Sequence, residues 1–220
     1  MARYRLLIFD WDGTLMDSEQ RIVESIRQAS ADIGIDVPSA ERARDVIGLG
    51  LTEAIERLLP DLPPPRHAEL AERYRHHFLV ANTTPTPLFP GVSEMLAELE
   101  AAGHLLAVAT GKGRRGLDEA LQVSGLAGRF HATRTAEETR SKPHPQMLEE
   151  LLDLTGTEPA EAVMVGDTEY DLAMARTIGM PAVGVSWGVH ERPRLEAERP
   201  ATIVDDLPTL HEWLQQRENT

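Results

Sequence analysis

Four short segments hold side chains able to do chemistry together: Asp10-Trp11-Asp12-Gly13-Thr14, Thr110-Gly111-Lys112-Gly113, Ser141-Lys142-Pro143-His144-Pro145 and Gly166-Asp167-Thr168-Glu169-Tyr170-Asp171. In the first, two carboxylates two residues apart sit where an apolar run breaks into a glycine turn, so both can face one small volume. Like charges that close repel unless a cation lies between them or one carries a proton. A solvated acidic turn is the plainer reading of Asp-x-Asp taken alone. In the second, a hydroxyl, flexible backbone and a helix start make an anion cradle, although Thr with Gly also opens ordinary helices. The last segment sets Asp171 four residues past Asp167, on the same side of a first helical turn, and an N-cap role for Asp167 is the structural alternative. Carboxylates alone bind cations, and a lysine with a hydroxyl binds anions. Both sets around one point suit a phosphate held against Mg²⁺, with a carboxylate available as nucleophile.

Only two of the 22 basic residues are lysines, and they are Lys112 and Lys142. A chain that uses arginine everywhere else places its compact ammonium groups in the two candidate anion sites. The eight histidines show no spacing suited to a metal, since His76 and His77 are adjacent and split across a helix surface. Met147 and Met174 fall on apolar helical faces and read as core.

These segments need elements to position them. Short apolar runs at Leu6 to Phe9, Leu105 to Ala109, Ala162 to Val165, Ala182 to Val185 and Thr202 to Val204 have the pattern of buried parallel strands. Stretches with helical spacing alternate with them, several closing on Gly103, Gly125, Gly156 and Gly179. The pattern predicts an α/β fold with an open parallel sheet, and in such sheets ligands lie at the carboxyl ends of the strands, where the four segments fall. About seventy residues after the first strand have helical patterning only, with helices expected over Ser18 to Ile33, Leu51 to Leu59 and His67 to Val80. The return path from Asn82 to Pro90 is rich in proline and threonine and reads as a semi-stiff linker. A hinged helical insert is the expectation, with helices simply covering one sheet face as the alternative; the end, Gln215 to Thr220, reads as a polar tail.

With 220 residues and 41% hydrophobic content, the chain has enough apolar side chain for a sizeable core. A net charge of −14 repels nucleic acid and anionic membranes, and the lack of cysteine excludes disulfides, thiolate catalysis and iron–sulfur clusters. The opening apolar run is too short for a signal peptide or a membrane span, so a soluble, cytoplasmic protein is expected, as a monomer or weak homodimer.

In order and spacing, Asp10 through Ser18, Thr110, Lys142-Pro143 and Gly166-Asp167 through Asp171 resemble the haloacid dehalogenase superfamily, in its phosphoglycolate-phosphatase-like branch with a small helical cap. Phe89-Pro90-Gly91-Val92 and the Gly48-Leu49-Gly50 turn are similar to that branch as well. The resemblance implies a Rossmann-like core over 1–15 and 88–220, an α-helical cap over 16–87, and a Mg²⁺-dependent phosphatase acting on a small organic phosphate ester. It implies that Asp10 is the nucleophile, that Asp12 protonates the leaving alcohol and then activates water, and that Thr110, Gly111 and Lys142 hold the phosphoryl group. Lys142 would also keep Asp10 ionised. Asp10, the backbone carbonyl of Asp12 and Asp167 would bind Mg²⁺, with Asp171 bracing them. Lys112, past Thr110, is expected to reach solvent or the cap. A phosphosugar mutase of the same superfamily and a phospho-signalling receiver are the competing readings.

Overall fold

Leu6, Leu7, Ile8 and Phe9 are apolar at every position because both faces of their strand are covered. In the computed structural model, which describes residues 4–215, this strand is β1, flanked on both sides by parallel partners. The other strands are β2 (Leu105–Thr110), β3 (Ala132–Thr135), β4 (Ala162–Gly166), β5 (Ala182–Val185) and β6 (Thr202–Val204), in the order β3-β2-β1-β4-β5-β6. Register sets Phe9 beside Val108 and Val165, with β4 running on to Gly166 and β2 to Thr110, so the segments after β1, β2 and β4 leave the sheet at the same end.

Odd and even positions of β1 face opposite layers. Leu7 and Phe9 join the cluster made with α5 (Val92–Ala101), α6 (Arg114–Val123) and α10 (Leu207–Leu214). Leu6 and Ile8 join the one made with α7 (Gln146–Thr155), α8 (Glu169–Thr177) and α9 (Arg192–Ala197). The crossover helices thus change face between α6 and α7, as the chain returns across β1 to start β4. Such a reversal leaves a crevice at the strand ends, and the chemistry-bearing segments line it.

Five of the strands follow the expected runs. β3 was not expected, because Ala-Thr-Arg-Thr has no apolar run; it is an edge strand, three of its four residues are only partly buried, and nothing in its pattern separates it from a loop.

Between β1 and α5 lie four helices: α1 (Glu19–Asp32), α2 (Ala40–Asp45), α3 (Leu51–Leu58) and α4 (Pro64–His76). They close on two apolar centres, one with Ile22, Ile26, Val46, Ile47, Ala54 and Leu58, which Val189 of the sheet side also joins, and another with Ala29, Ile55 and Leu70. The stretch expected as one helix to Val80 instead ends at His76 and widens into a π-helical turn over His77–Ala81, closed by Asn82 N–H donating to His77 O at 2.8 Å. The two strands of chain joining the insert to the sheet run side by side: Asp17 N donates to Pro87 O (2.8 Å) and Phe89 N to Leu15 O (3.0 Å). No described helix is long and apolar enough to cross a membrane.

Candidate active site

Asp10 continues the ladder of β1, its N–H donating to Val165 O at 2.9 Å. The chain then turns at Gly13, whose φ of +82° suits glycine, and a Cβ there would collide with the carboxylate of Asp167. Gly188 approaches Asp167 equally closely from the other side. Held between two bare backbones, Asp167 accepts from Thr14 Oγ1 (2.8 Å) and Val189 N (2.8 Å) and is fully buried. Asp171, on the first turn of α8, accepts from Thr168 Oγ1 at 2.7 Å, and Thr168 caps the same helix. An N-cap role thus falls to Thr168 rather than to Asp167.

Lys142, with no exposed side-chain surface, sets its Nζ 2.7 Å from Asp10 Oδ1 and 2.6 Å from Asp171 Oδ1. These contacts are held by charge rather than by aligned hydrogen bonds, and Asp10 Oδ2 is buried with no partner. Ligand atoms of Asp10, Asp167 and Asp171 lie within 4.8 Å of one another. Three buried carboxylates thus lie close together, two of them on the Lys142 ammonium, and the surplus negative charge acts on their protonation. Burial pushes the Asp10 carboxyl well above its ordinary range; Lys142 pulls it down, and Asp171 and Asp167 push it up again. Burial and Asp171 likewise raise Asp167 to about 7. Desolvation by burial is the largest influence on Asp10, and the attraction of Lys142 opposes it. Further positive charge is what this donor set calls for, and an oxygen-only cluster with an orphaned carboxylate oxygen fits a hard divalent cation such as Mg²⁺.

The Asp12 carboxylate has partners of its own. Its Oδ1 accepts from Ser18 Oγ at 2.6 Å, and Lys112 Nζ lies 2.8 and 3.0 Å from its two oxygens. Ser18 occupies the N-cap position of α1 yet makes no cap hydrogen bond, because its hydroxyl is committed to Asp12. Of the two expected directions, solvent or the cap, Lys112 takes the second: its side chain is only 8% exposed, and its ammonium lies over the Phe78 ring of the insert, 4.4 Å from the centroid. The segment that follows β2 thus ties Asp12 to the insert. Thr110 is buried at the end of β2, its Oγ1 accepting from Lys112 N at 3.2 Å.

The insert covers these strand ends. A Cβ on Gly111 would strike the carbonyl oxygens of Gly48 and Leu49, and Gly50 N donates to Ser141 Oγ at 2.7 Å. Farther out, Tyr170 donates to Asp45 O (2.8 Å), while Arg194 bridges Asp45 of the insert and Glu169 of α8. Between sheet and insert lies a cavity of about 390 Å³ that reaches Asp10, Asp12 and Thr110. Asp10, Asp12, Thr110, Gly111, Lys142, Asp167 and Asp171 therefore converge on one region. Sequence reading did not assign the partners Thr14, Ser18 and Val189. The first two stand in the quoted Asp10 to Ser18 segment, but nothing in the pattern marked the Gly188-Val189 backbone.

A parallel, Rossmann-like sheet with catalytic-type carboxylates at its switch point and a helical insert above them defines an enzyme of the doubly wound α/β class. Sequence comparison narrows this. The profile of the haloacid dehalogenase-like hydrolase family matches residues 7–185, and the chain belongs to that family. It is 37% identical to “Probable phosphatase IndB” of Dickeya dadantii over 91% of this chain and 89% of that one. It is 30% identical to a phosphoglycolate phosphatase of Vibrio cholerae over 96% of this chain and 97% of that one. A crystal structure from Haemophilus somnus described as a “predicted phosphoglycolate phosphatase” superposes with a TM-score of 0.88 at 25% identity, covering 98% and 100% of the two chains. Within its family the chain is a phosphatase of the phosphoglycolate-phosphatase-like branch, which sets aside the signalling receiver.

Proposed function

We propose that the chain hydrolyses a small organic phosphate monoester by a Mg²⁺-dependent route through an aspartyl phosphate on Asp10. Residues 16–87 act as a cap over a core of 1–15 and 88–220, and the enzyme works in the cytoplasm as a monomer or weak homodimer. The observation that carries this reading is the buried trio Asp10, Asp167 and Asp171, two of them on Lys142, with Asp10 Oδ2 left without a partner.

Asp10, Asp167 and the backbone carbonyl of Asp12 would hold Mg²⁺, with Asp171 bracing the cluster through Thr168 and Lys142. Bound there, Mg²⁺ neutralises the surplus negative charge, so that Asp10 is ionised and a phosphoryl group can approach it. Thr110 hydroxyl, Gly111 N–H and the Lys142 ammonium hold the phosphoryl oxygens. Asp10 attacks phosphorus as the ester P–O bond breaks, and Asp12 delivers its proton to the departing alkoxide. Asp12, now a carboxylate, takes a proton from water, whose oxygen attacks phosphorus and frees Asp10 and inorganic phosphate. Covering by the Gly48–Gly50 turn keeps bulk water from weakening these interactions.

Asp10→Asn tests the reading, since the amide is nearly isosteric and a poor nucleophile. Mg²⁺-dependent phosphate release should disappear while the unfolding transition stays cooperative, and beryllium fluoride should inhibit wild type only when Mg²⁺ is present. Substantial turnover by Asp10→Asn removes Asp10 from the nucleophile role. Net phosphate release without isomerised sugar phosphate distinguishes hydrolysis from mutase chemistry.

A further inference from the structure

Resting on the phosphatase reading, we infer that the ester hydrolysed by this chain carries an uncharged, ring-sized alcohol with an apolar face, rather than a short carboxylate-bearing alcohol such as glycolate. The cavity of about 390 Å³ is within the range that takes small organic molecules and exceeds what a two-carbon acid fills. Its phosphoryl end is polar, at Asp10, Thr110 and Gly111. The side contributed by the insert is largely apolar and includes Ile22, Ile47, Leu49, Tyr74, Phe78 and Leu79.

Two features shape that side for a ring. Tyr74 and Phe78, one helical turn apart, stack with centroids 5.7 Å apart and planes 24° from parallel, which puts two aromatic rings side by side in the lining. The π-helical turn that follows α4 adds Phe78, Leu79 and Val80 to the lining.

Charge argues in the same direction. Lys112 is committed to Asp12, and Lys142 to Asp10 and Asp171. Of the other cations lining the cavity, Arg75 is 52% exposed and 3.8 Å from Glu137, while Arg115 is 72% exposed and paired with Glu119 at 2.9 Å. His76 is exposed as well. Such rim charges are solvent-screened and hold a carboxylate weakly. The one buried cation among the described lining residues, Lys112, is already held by Asp12, so a substrate carboxylate would be desolvated there with no uncommitted buried cation to meet it. Tyr74 hydroxyl makes no hydrogen bond to a described residue and offers a neutral donor and acceptor to a ring heteroatom or sugar hydroxyl.

A nucleoside 5′-monophosphate and an arylmethyl phosphate share this chemistry. Uridine 5′-monophosphate, benzyl phosphate and 2-phosphoglycolate are all esters of primary alcohols, so leaving-group reactivity does not bias the comparison, and phosphate release from each is measured with Mg²⁺. At least one ring ester is expected to exceed 2-phosphoglycolate in kcat/KM by on the order of 10²-fold, chiefly through KM, and the better of the two names the source. Phe78→Ala should cut that ratio at least fivefold, and because the ratio compares substrates on one variant, a general loss of activity does not affect it. Equal or better turnover of 2-phosphoglycolate, or a ratio unmoved by Phe78→Ala, overturns the inference and leaves the phosphatase reading standing. No release from any of the three overturns both.

Discussion

Replacing Lys142 perturbs the centre of the proposed machinery. Its Nζ lies 2.7 Å from Asp10 Oδ1 and 2.6 Å from Asp171 Oδ1, inside a fully enclosed space. At an effective dielectric of about 20, one such contact amounts to roughly 6 kcal/mol of attraction before desolvation is subtracted. Lys142→Met removes both contacts and leaves two carboxylates facing each other, so Asp10 holds its proton more tightly and loses nucleophilicity. Lys142→Arg keeps the charge but replaces a point donor with a planar fork that must displace one carboxylate. Both variants are expected to lose on the order of 10²-fold or more in kcat, as when one preorganised donor to a developing anion is removed. That loss corresponds to about 2.7 kcal/mol, less than half of the attraction in a single contact, so the magnitude is attainable without invoking misfolding. The assay is Mg²⁺-dependent phosphate release at saturating ester. Unfolding midpoints are taken alongside, because removing one partner from a buried ionic cluster costs about 3–5 kcal/mol of stability. A folded Lys142→Arg variant within tenfold of wild-type kcat refutes the point-charge argument. If Lys112→Arg is instead the crippling change, the phosphate-binding lysine belongs at the end of β2.

Lys112→Arg keeps a cation between Asp12 and Phe78 and should retain most activity, whereas Lys112→Gln frees Asp12 and should lower kcat about tenfold in steady-state assays. Chelating Mg²⁺ with EDTA should abolish phosphate release reversibly; adding it back at about 100 times its Kd should raise unfolding free energy by about 2.7 kcal/mol, read by denaturant titration. Partial burial pushes Glu138 up, but hydrogen bonds from Arg114 and Thr135 leave it below its ordinary value. Its contribution to stability is therefore present above the unfolded-state pKa and is lost as pH falls through the folded one. Glu138→Gln should lower the urea midpoint at pH 7 and converge with wild type near pH 3; a gap that persists at pH 3 contradicts the assignment.

Strands covered on both faces must be apolar throughout, so β1, β2, β4 and β5 were legible as runs, and the segments that follow β1, β2 and β4 were legible as site candidates. β3 and the short helix α2 were not, because an edge strand and a six-residue helix need little apolar surface and leave no period to read. The insert was legible as helices without strands, but the point where α4 widens into a π-helical turn was not, since the helical apolar pattern runs on through Phe78 and Val80.

Residue types and chain order by themselves determined the α/β alternation, the interruption after the first strand and the set of acids, hydroxyl and lysine at strand ends. These depend on local periodicity and on which side chains are present. Tertiary structure decided what each group touches. That Lys142 contacts both Asp10 and Asp171, that Lys112 turns to Asp12 and Phe78, and that Gly13 and Gly188 close on Asp167 all depend on segments far apart in sequence meeting at the switch point of the sheet. The protonation of the trio was out of reach for the same reason. A carboxyl's pKa follows from its desolvation and its neighbours within a few ångströms, and both exist only after the chain has folded.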